Sequence, residues 1–172
     1  MKKLLYIAMA LSLTLAAACA SGSGEKPEGA SDGALVVDLG GDATELEAVS
    51  FGGRTQLAED GTFWSLLPQT YSQLVVVQTL ADEDMRALAY VFPTETGNPA
   101  LDRFTADASG VQVDEFSTAL ALTMINPLFF GADQDDKLMI ASHAVETREY
   151  NELVSVLETV YAHDPANALD NT

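Results

Sequence analysis

The chain has a single cysteine, Cys19, among its 172 residues. The body of the protein therefore holds no cysteine nucleophile, no thiolate zinc site and no internal disulfide. The G-x-S-x-G, S-x-x-K, P-loop, H-E-x-x-H and G-x-G-x-x-G motifs are missing as well. We accordingly predict no catalytic residue and no bound cofactor.

Basic residues are also scarce. The chain has 8 Lys and Arg residues against 26 Asp and Glu residues, a formal net charge of −18 at pH 7. So acidic a protein repels the phosphates of nucleic acids and anionic lipid headgroups. The composition argues against a nucleic-acid partner and against membrane adsorption through basic residues.

Histidine is almost absent. The two histidines, His143 and His163, lie near the predicted ends of the second and third helices. A histidine at a helix carboxyl end interacts favourably with the helix dipole. We interpret both as structural residues.

Long apolar runs are missing except at the amino terminus. Lys2 and Lys3 precede a mostly apolar stretch at 4–15, which is shorter than the roughly 20 residues of a membrane-spanning helix. Small residues follow at 16–18, as at a signal peptidase site. Residues 1–18 are therefore predicted to be a removable export signal.

The sequence LAAAC at 15–19 resembles the lipobox of bacterial lipoproteins, in which the cysteine receives diacylglycerol. Leu15 departs from that pattern by one position, since the family most often has Leu three residues before the cysteine. The resemblance implies lipidation of Cys19 with acyl chains such as palmitate, a lipid bilayer as partner, and the outer membrane as location in a diderm host. The alternative is an ordinary secretory signal cut after Ala20.

A linker is predicted between the lipidated cysteine and the folded body. Residues 19–33 have the Gly, Ser, Pro and Glu content of a flexible linker, which spans about 20 Å root-mean-square. Residues 34–165 suffice for one domain with its own core. A polar tail follows at 166–172.

The first part of the domain, residues 34–92, is predicted to be a β-sheet. Turn signals at short spacing separate its β-prone runs, which favours antiparallel hairpins. The predicted strands cover residues 35–39, 46–51, 54–58, 62–67, 72–79 and 85–92. Asp60-Gly61 is the clearest hairpin signal, because Gly tolerates the positive φ of a tight turn.

Four short motifs occur in order within this part: FGGRT at 51–55, DGTF at 60–63, LP at 67–68, and Tyr71 before an apolar run. This arrangement at 49–77 resembles the carboxypeptidase-regulatory or transthyretin-like β-sandwich. The resemblance implies a structural or adhesive module of bacterial surface proteins. The chain departs from that module in a further predicted hairpin at 81–92 and in the helices that follow.

The second part of the domain, residues 111–165, is predicted to be mainly helical. Short strands are predicted before it and at its start, at 101–105 and 111–113. Asp114 is a suitable N-cap for a helix at 115–125, which Asn126-Pro127 would end. The segment 116–130 is apolar almost all round, which predicts an element in the middle of the core. Further helices are predicted from Asp133 to about Ala144 and from about Thr147 onward.

Three acids before the second helix are candidate metal ligands. Asp133, Asp135 and Asp136 resemble the start of a calcium loop. The sixth-position glycine and the distal Glu of an EF-hand are missing, and capping of the helix amino end is the alternative.

Three aromatic residues are candidates for stacking on a sugar. Trp64, Tyr71 and Tyr90 lie on or beside predicted strands. Their alternative role is packing in the core, because aromatic side chains are common on half-buried strands.

The expected fold is α+β: an antiparallel, sandwich-like sheet followed by about three helices packed on it. We expect a membrane-anchored cell-envelope lipoprotein that binds an envelope protein or glycan, or that serves as a structural or adhesive subunit, without catalysis. Two alternatives stay open. One is a carboxylate-based hydrolase, since 26 acids can supply a facing pair. The other is a calcium-dependent adhesive module.

Overall fold

The computed structural model describes residues 34–37, 43–50, 53–57, 62–64, 71–92, 96–105 and 111–163. These residues form β-strands first and α-helices afterwards. The strands are β1 (Ala34–Val37), β2 (Leu46–Ser50), β3 (Gly53–Gln56), β4 (Thr62–Trp64), β5 (Gln73–Thr79), β6 (Met85–Val91) and β7 (Val111–Val113). The helices are α1 (Glu115–Met124), α2 (Gln134–Val145) and α3 (Arg148–His163). The predicted α+β fold is confirmed.

Several predictions fall outside the described residues. They are the export signal at 1–18, lipidation of Cys19, the linker at 19–33 and the tail at 166–172. The signal, the lipidation, the linker and the tail stay predictions. The Asp60-Gly61 turn also lies outside the described part, but the prediction that its flanking strands form a hairpin is wrong, because β3 pairs with β2 and β4 pairs with β1 in a separate sheet.

The strands form two sheets. The larger sheet has the order β3-β2-β5-β6 and is antiparallel throughout, as the turn spacing predicts. The smaller sheet has the order β4-β1-β7, in which β1 is antiparallel to β4 but parallel to β7. Turn spacing informs only about consecutive strands. The parallel pair, which joins the first strand to the last, therefore could not be predicted from it.

Strand β6 separates two hydrophobic cores, because its side chains alternate between the two faces of the sheet. Ala87 and Ala89 belong to the core between the two sheets. Leu88 and Phe92 belong to the core between the larger sheet and the helices. Burial on both faces explains why the sequence is almost continuously apolar at 87–92.

Helix α1 lies between β6 and α3, as predicted for the apolar segment that begins at Phe116. Asp114 caps it: the carboxylate accepts a hydrogen bond from the Ser117 N–H at 2.9 Å, and Ser117 Oγ accepts one from the Asp114 N–H at 2.9 Å. The helix ends at Met124, because Pro127 disfavours helical conformation at the residue before it.

Side chains of α1 close the free edge of β6, the last strand of the larger sheet. Thr118 Oγ1 accepts a hydrogen bond from the Leu88 N–H at 3.2 Å and donates to the Leu88 carbonyl at 3.1 Å. Ser117 Oγ donates to the same carbonyl at 3.1 Å. The backbone N–H and carbonyl of Leu88, at the centre of this edge strand, thereby have hydrogen-bond partners within the domain.

Helices α2 and α3 begin close to the predicted positions. Asp133 Oδ1 accepts a hydrogen bond from the Asp136 N–H at 2.9 Å, and Thr147 Oγ1 accepts one from the Tyr150 N–H at 3.2 Å. Both are N-terminal caps. Helix α3 buries Tyr150 and Leu157 against α1 and the sheet.

The short strand predicted at 101–105 is wrong. Asp102–Phe104 is a 3-10 turn, and only Thr105 bridges to Phe92. Leu101 and Phe104 are both fully buried. Their spacing of three residues suits one face of a turn, whereas a strand would put them on opposite faces.

Candidate binding surface

Three large apolar side chains are exposed in two segments that meet the amino end of α2. Leu128 and Phe130, in the connection between α1 and α2, are 83% and 67% exposed, and Tyr71, just before β5, is 67% exposed. We call these three residues the apolar corner. The prediction that the whole segment 116–130 lies in the core is therefore wrong beyond its helix, because Asn126-Pro127 turns the chain outward.

The turn that carries Leu128 has a fixed backbone. Asn126 Oδ1 accepts a hydrogen bond from the Leu128 N–H at 3.1 Å, and the Asn126 carbonyl accepts one from the Phe129 N–H at 2.9 Å. The Ala132 N–H donates to the Phe129 carbonyl at 3.1 Å. Because the backbone is internally bonded, Leu128 and Phe130 project from a defined turn.

A hydrogen-bonded bridge joins the Tyr71 side of the corner to α2. Gln134 Oε1 accepts from the Ser72 N–H and from Ser72 Oγ, both at 3.1 Å. Ser72 Oγ also lies 2.9 Å from the Tyr90 hydroxyl. Phe130 is four residues from Gln134, so the Cα atoms of these two residues lie within about 14 Å of each other. Sequence analysis did not anticipate this bridge.

The three candidate metal ligands lie beside the corner but do not gather into a site. Asp133 caps α2, while Asp135 and Asp136 are exposed in its first turn. Among the described residues there is no group of three or more His, Cys, Asp or Glu side chains able to hold a metal ion. These acids instead place negative charge next to the apolar corner.

The structure describes the side chains of two of the three candidate stacking residues, and one of these two is buried. Tyr90 is buried, with its ring 5.4 Å from that of Phe92 in an edge-to-face contact. Burial raises the pKa of Tyr90. Tyr71 is exposed, and the side chain of Trp64 lies outside the described part. Tyr90 is therefore a core residue and not part of a sugar platform.

Among the described residues, the buried carboxylates are Glu47 and Asp114, and both are paired. Glu47 Oε1 accepts from Arg54 Nη1 at 3.0 Å and from Gln78 Nε2 at 2.7 Å. Asp114 Oδ2 accepts from Arg103 Nη2 at 2.6 Å. Each acid therefore has a structural role, at a separate place in the fold.

Arg54 and Arg103 each make a second contact, Arg54 with another acid and Arg103 with an aromatic ring. Arg54 Nη1 also donates to Glu83 at 2.7 Å, and this hydrogen bond is the main cause that raises the pKa of the Arg54 guanidinium. The Arg103 guanidinium lies 4.0 Å above the Phe116 ring. Both arginines thus neutralise acids locally.

The histidines lie in the last turns of α2 and α3, as predicted. His163 Nδ1 is 2.8 Å from the Thr159 carbonyl oxygen of its own helix. This contact is structural.

The side chain of Gln73 and the Nη1 atom of Arg86 are buried polar groups that sequence analysis missed. Within the described residues, neither amide atom of Gln73 has a hydrogen-bond partner, and neither has Arg86 Nη1. The period of two along β5 places Gln73 on the same inward face as Val75 and Val77. This alternation along the sequence was the signal that could have identified Gln73 as buried.

The chain was also compared with known proteins. No protein-family model matches it, and searches of curated proteins and of solved structures found no similar protein. The resemblances to lipoproteins and to the transthyretin-like sandwich therefore stay predictions. Among the described residues, no helix is long and apolar enough to cross a membrane.

Proposed function

We propose that this protein is a lipid-tethered, non-catalytic subunit of the bacterial cell envelope that binds its partner through the apolar corner. The observation that carries the proposal is the exposure of Leu128 and Phe130, at 83% and 67%, on an internally bonded turn. In a diderm host, the tether on Cys19 places the domain at the outer membrane.

The energetics of the corner support a binding role. Burial of a Leu or Phe side chain is worth about 1.5–3 kcal/mol, and this energy is unused while Leu128 and Phe130 face water. Single exposed apolar residues are ordinary, and Leu80, Met139 and Val156 are examples on other elements. Two large apolar side chains on one turn form an apolar patch of a kind that is often functional in soluble proteins.

The pairing of the buried acids supports a role without catalysis. A carboxylate hydrolase needs two facing carboxyl groups, one of them free to hold or release a proton. Glu47 and Asp114 are each bound to an arginine and lie on different elements. Both acids therefore stabilise the fold.

The tether is tested by the intact mass of the protein extracted from membranes of its host. We expect a chain that starts at Cys19 and carries acyl chains. A water-soluble chain that starts at Ser21 would contradict the proposal.

The binding surface is tested by photo-crosslinking in intact cells. A photoreactive residue replaces Leu128 in one variant and Val156, which is 57% exposed on α3, in a matched control. We expect position 128 to give abundant adducts with an envelope component and position 156 to give few. Equal labelling from the two positions would contradict the assignment of the apolar corner as the binding surface.

A further inference from the structure

We infer that the apolar corner contacts the lipid bilayer itself, at the boundary between headgroups and acyl chains, as a second attachment point beside the lipid on Cys19. The inference rests on the proposed function, because it takes the corner as the binding surface and Cys19 as the anchor. It names the partner as a lipid surface.

The turn is suited to a lipid environment. Residues 125–132 (INPLFFGA) contain no charged side chain. The N–H groups of Leu128, Phe129 and Ala132 all donate within the segment, at 2.9–3.1 Å. An unsatisfied backbone donor is costly in a bilayer, so this internal bonding lowers the penalty for entering one. Leu128 and Phe130 would then insert.

The size of the corner favours lipid over a protein partner. A stable protein interface buries about 800 Å² on each side. Three partly exposed large side chains supply only roughly 400 Å². That area is about the apolar share of one side of a protein interface, which also needs a matching polar surface around it; a lipid contact needs no complementary shape and has to add only to an existing anchor.

The tether makes a weak contact effective. The 15 residues from Cys19 to Gly33 reach about 50 Å when extended, which exceeds the diameter of about 35 Å of a 130-residue domain. Any face of the domain can therefore meet the membrane. A short tether gives an effective concentration in the mM range, so a contact with a Kd of about 1 mM is occupied about half of the time.

The charge beside the corner predicts a lipid preference. Asp133, Asp135 and Asp136 directly follow the apolar turn and would come close to the headgroups. They repel anionic lipids. Contact should be stronger on zwitterionic membranes than on anionic ones, the opposite of the preference of a basic peripheral protein.

The test uses the chain from Cys19 to Thr172, coupled through its only thiol to a maleimide lipid in phosphatidylcholine vesicles. Phe130→Trp places an indole in the corner, and Val156→Trp places one at an exposed position on α3. Trp64 contributes the same background to both variants. Brominated phosphatidylcholine then quenches an indole that lies in the bilayer.

We expect brominated lipid to quench the indole of F130W and to leave that of V156W unaffected. Quenching should fall when half of the phosphatidylcholine is replaced by phosphatidylglycerol. Adding Leu128→Ser to F130W should weaken the lipid contact about tenfold or more.

Two results would overturn the inference. In one, F130W is not quenched although cellular crosslinking from position 128 gives protein adducts, which would keep the proposed function and replace lipid with a protein partner. In the other, there is neither quenching nor selective crosslinking, and then the proposed function fails as well.

Discussion

The substitution Thr118→Val tests how helix α1 is joined to the larger sheet. Thr118 is fully buried, and its hydroxyl bonds both the N–H and the carbonyl of Leu88 and lies 3.0 Å from the Tyr161 hydroxyl. Valine has nearly the same shape, so packing is retained while the hydroxyl is lost.

The cost of the change follows from the groups left behind. The Leu88 carbonyl keeps its bond from Ser117 Oγ at 3.1 Å, and the Tyr161 hydroxyl keeps the Arg86 carbonyl at 3.3 Å. The Leu88 N–H is left buried without a partner. An orphaned buried donor costs about 1–3 kcal/mol, so we expect a loss of about 2 kcal/mol of unfolding free energy.

The matched control is Thr123→Val on the same helix. The Thr123 hydroxyl bonds only the Ala119 carbonyl of its own helix, at 2.9 Å, so its removal orphans no donor. Urea unfolding should shift the midpoint of T118V by about 1 M and that of T123V by less than about 0.3 M, for a slope near 2 kcal/mol per M. Equal shifts would refute the argument that these hydrogen bonds hold the edge of β6.

Three further predictions concern other contacts. Burial raises the pKa of Tyr161 to about 12, above the value near 10 of an unfolded tyrosine, so stability should be full below pH 10 and fall as pH rises from about 10 through about 12. In urea titrations at alkaline pH, Tyr161→Phe should flatten that fall in stability. An unchanged dependence of the unfolding free energy on pH would contradict the role given to Tyr161. Asp114→Ala removes the cap of α1 and the partner of Arg103, so thermal melting should show a loss of about 2 kcal/mol, with a smaller loss for Asp114→Asn; equal losses would contradict the capping role, because asparagine keeps the cap and loses only the charge. Leu128→Ser with Phe130→Ser should change stability by less than about 0.5 kcal/mol, because both side chains are exposed, and a large drop in melting temperature would show that the corner is structural.

The elements of the fold were largely predictable because their signals are local. Asp114 and Asp133 were expected to begin helices, and the structure shows each carboxylate bonded to a backbone N–H three residues later. Asn126-Pro127 was expected to end α1, and it does. Each of these signals depends on a few adjacent residues, so the rest of the fold need not be known.

What could not be predicted depends on contacts between distant residues. The parallel pairing of β1 with β7 and the Ser72–Gln134 bridge join parts of the chain that no short motif relates. The apolar corner was missed for another reason. The apolar run that forms α1 continues through Leu128 and Phe130. Composition alone does not distinguish a buried side chain from an exposed one.

The position of β1 in the smaller sheet bears on how the chain can fold during synthesis. Leu35 emerges first, yet its parallel neighbour Val111 is made only after all the other strands. The first strand can pair with β4 earlier, but its pairing with β7 must wait for the last strand, and such distant pairing slows folding. The smaller sheet therefore stays incomplete until most of the chain has been made.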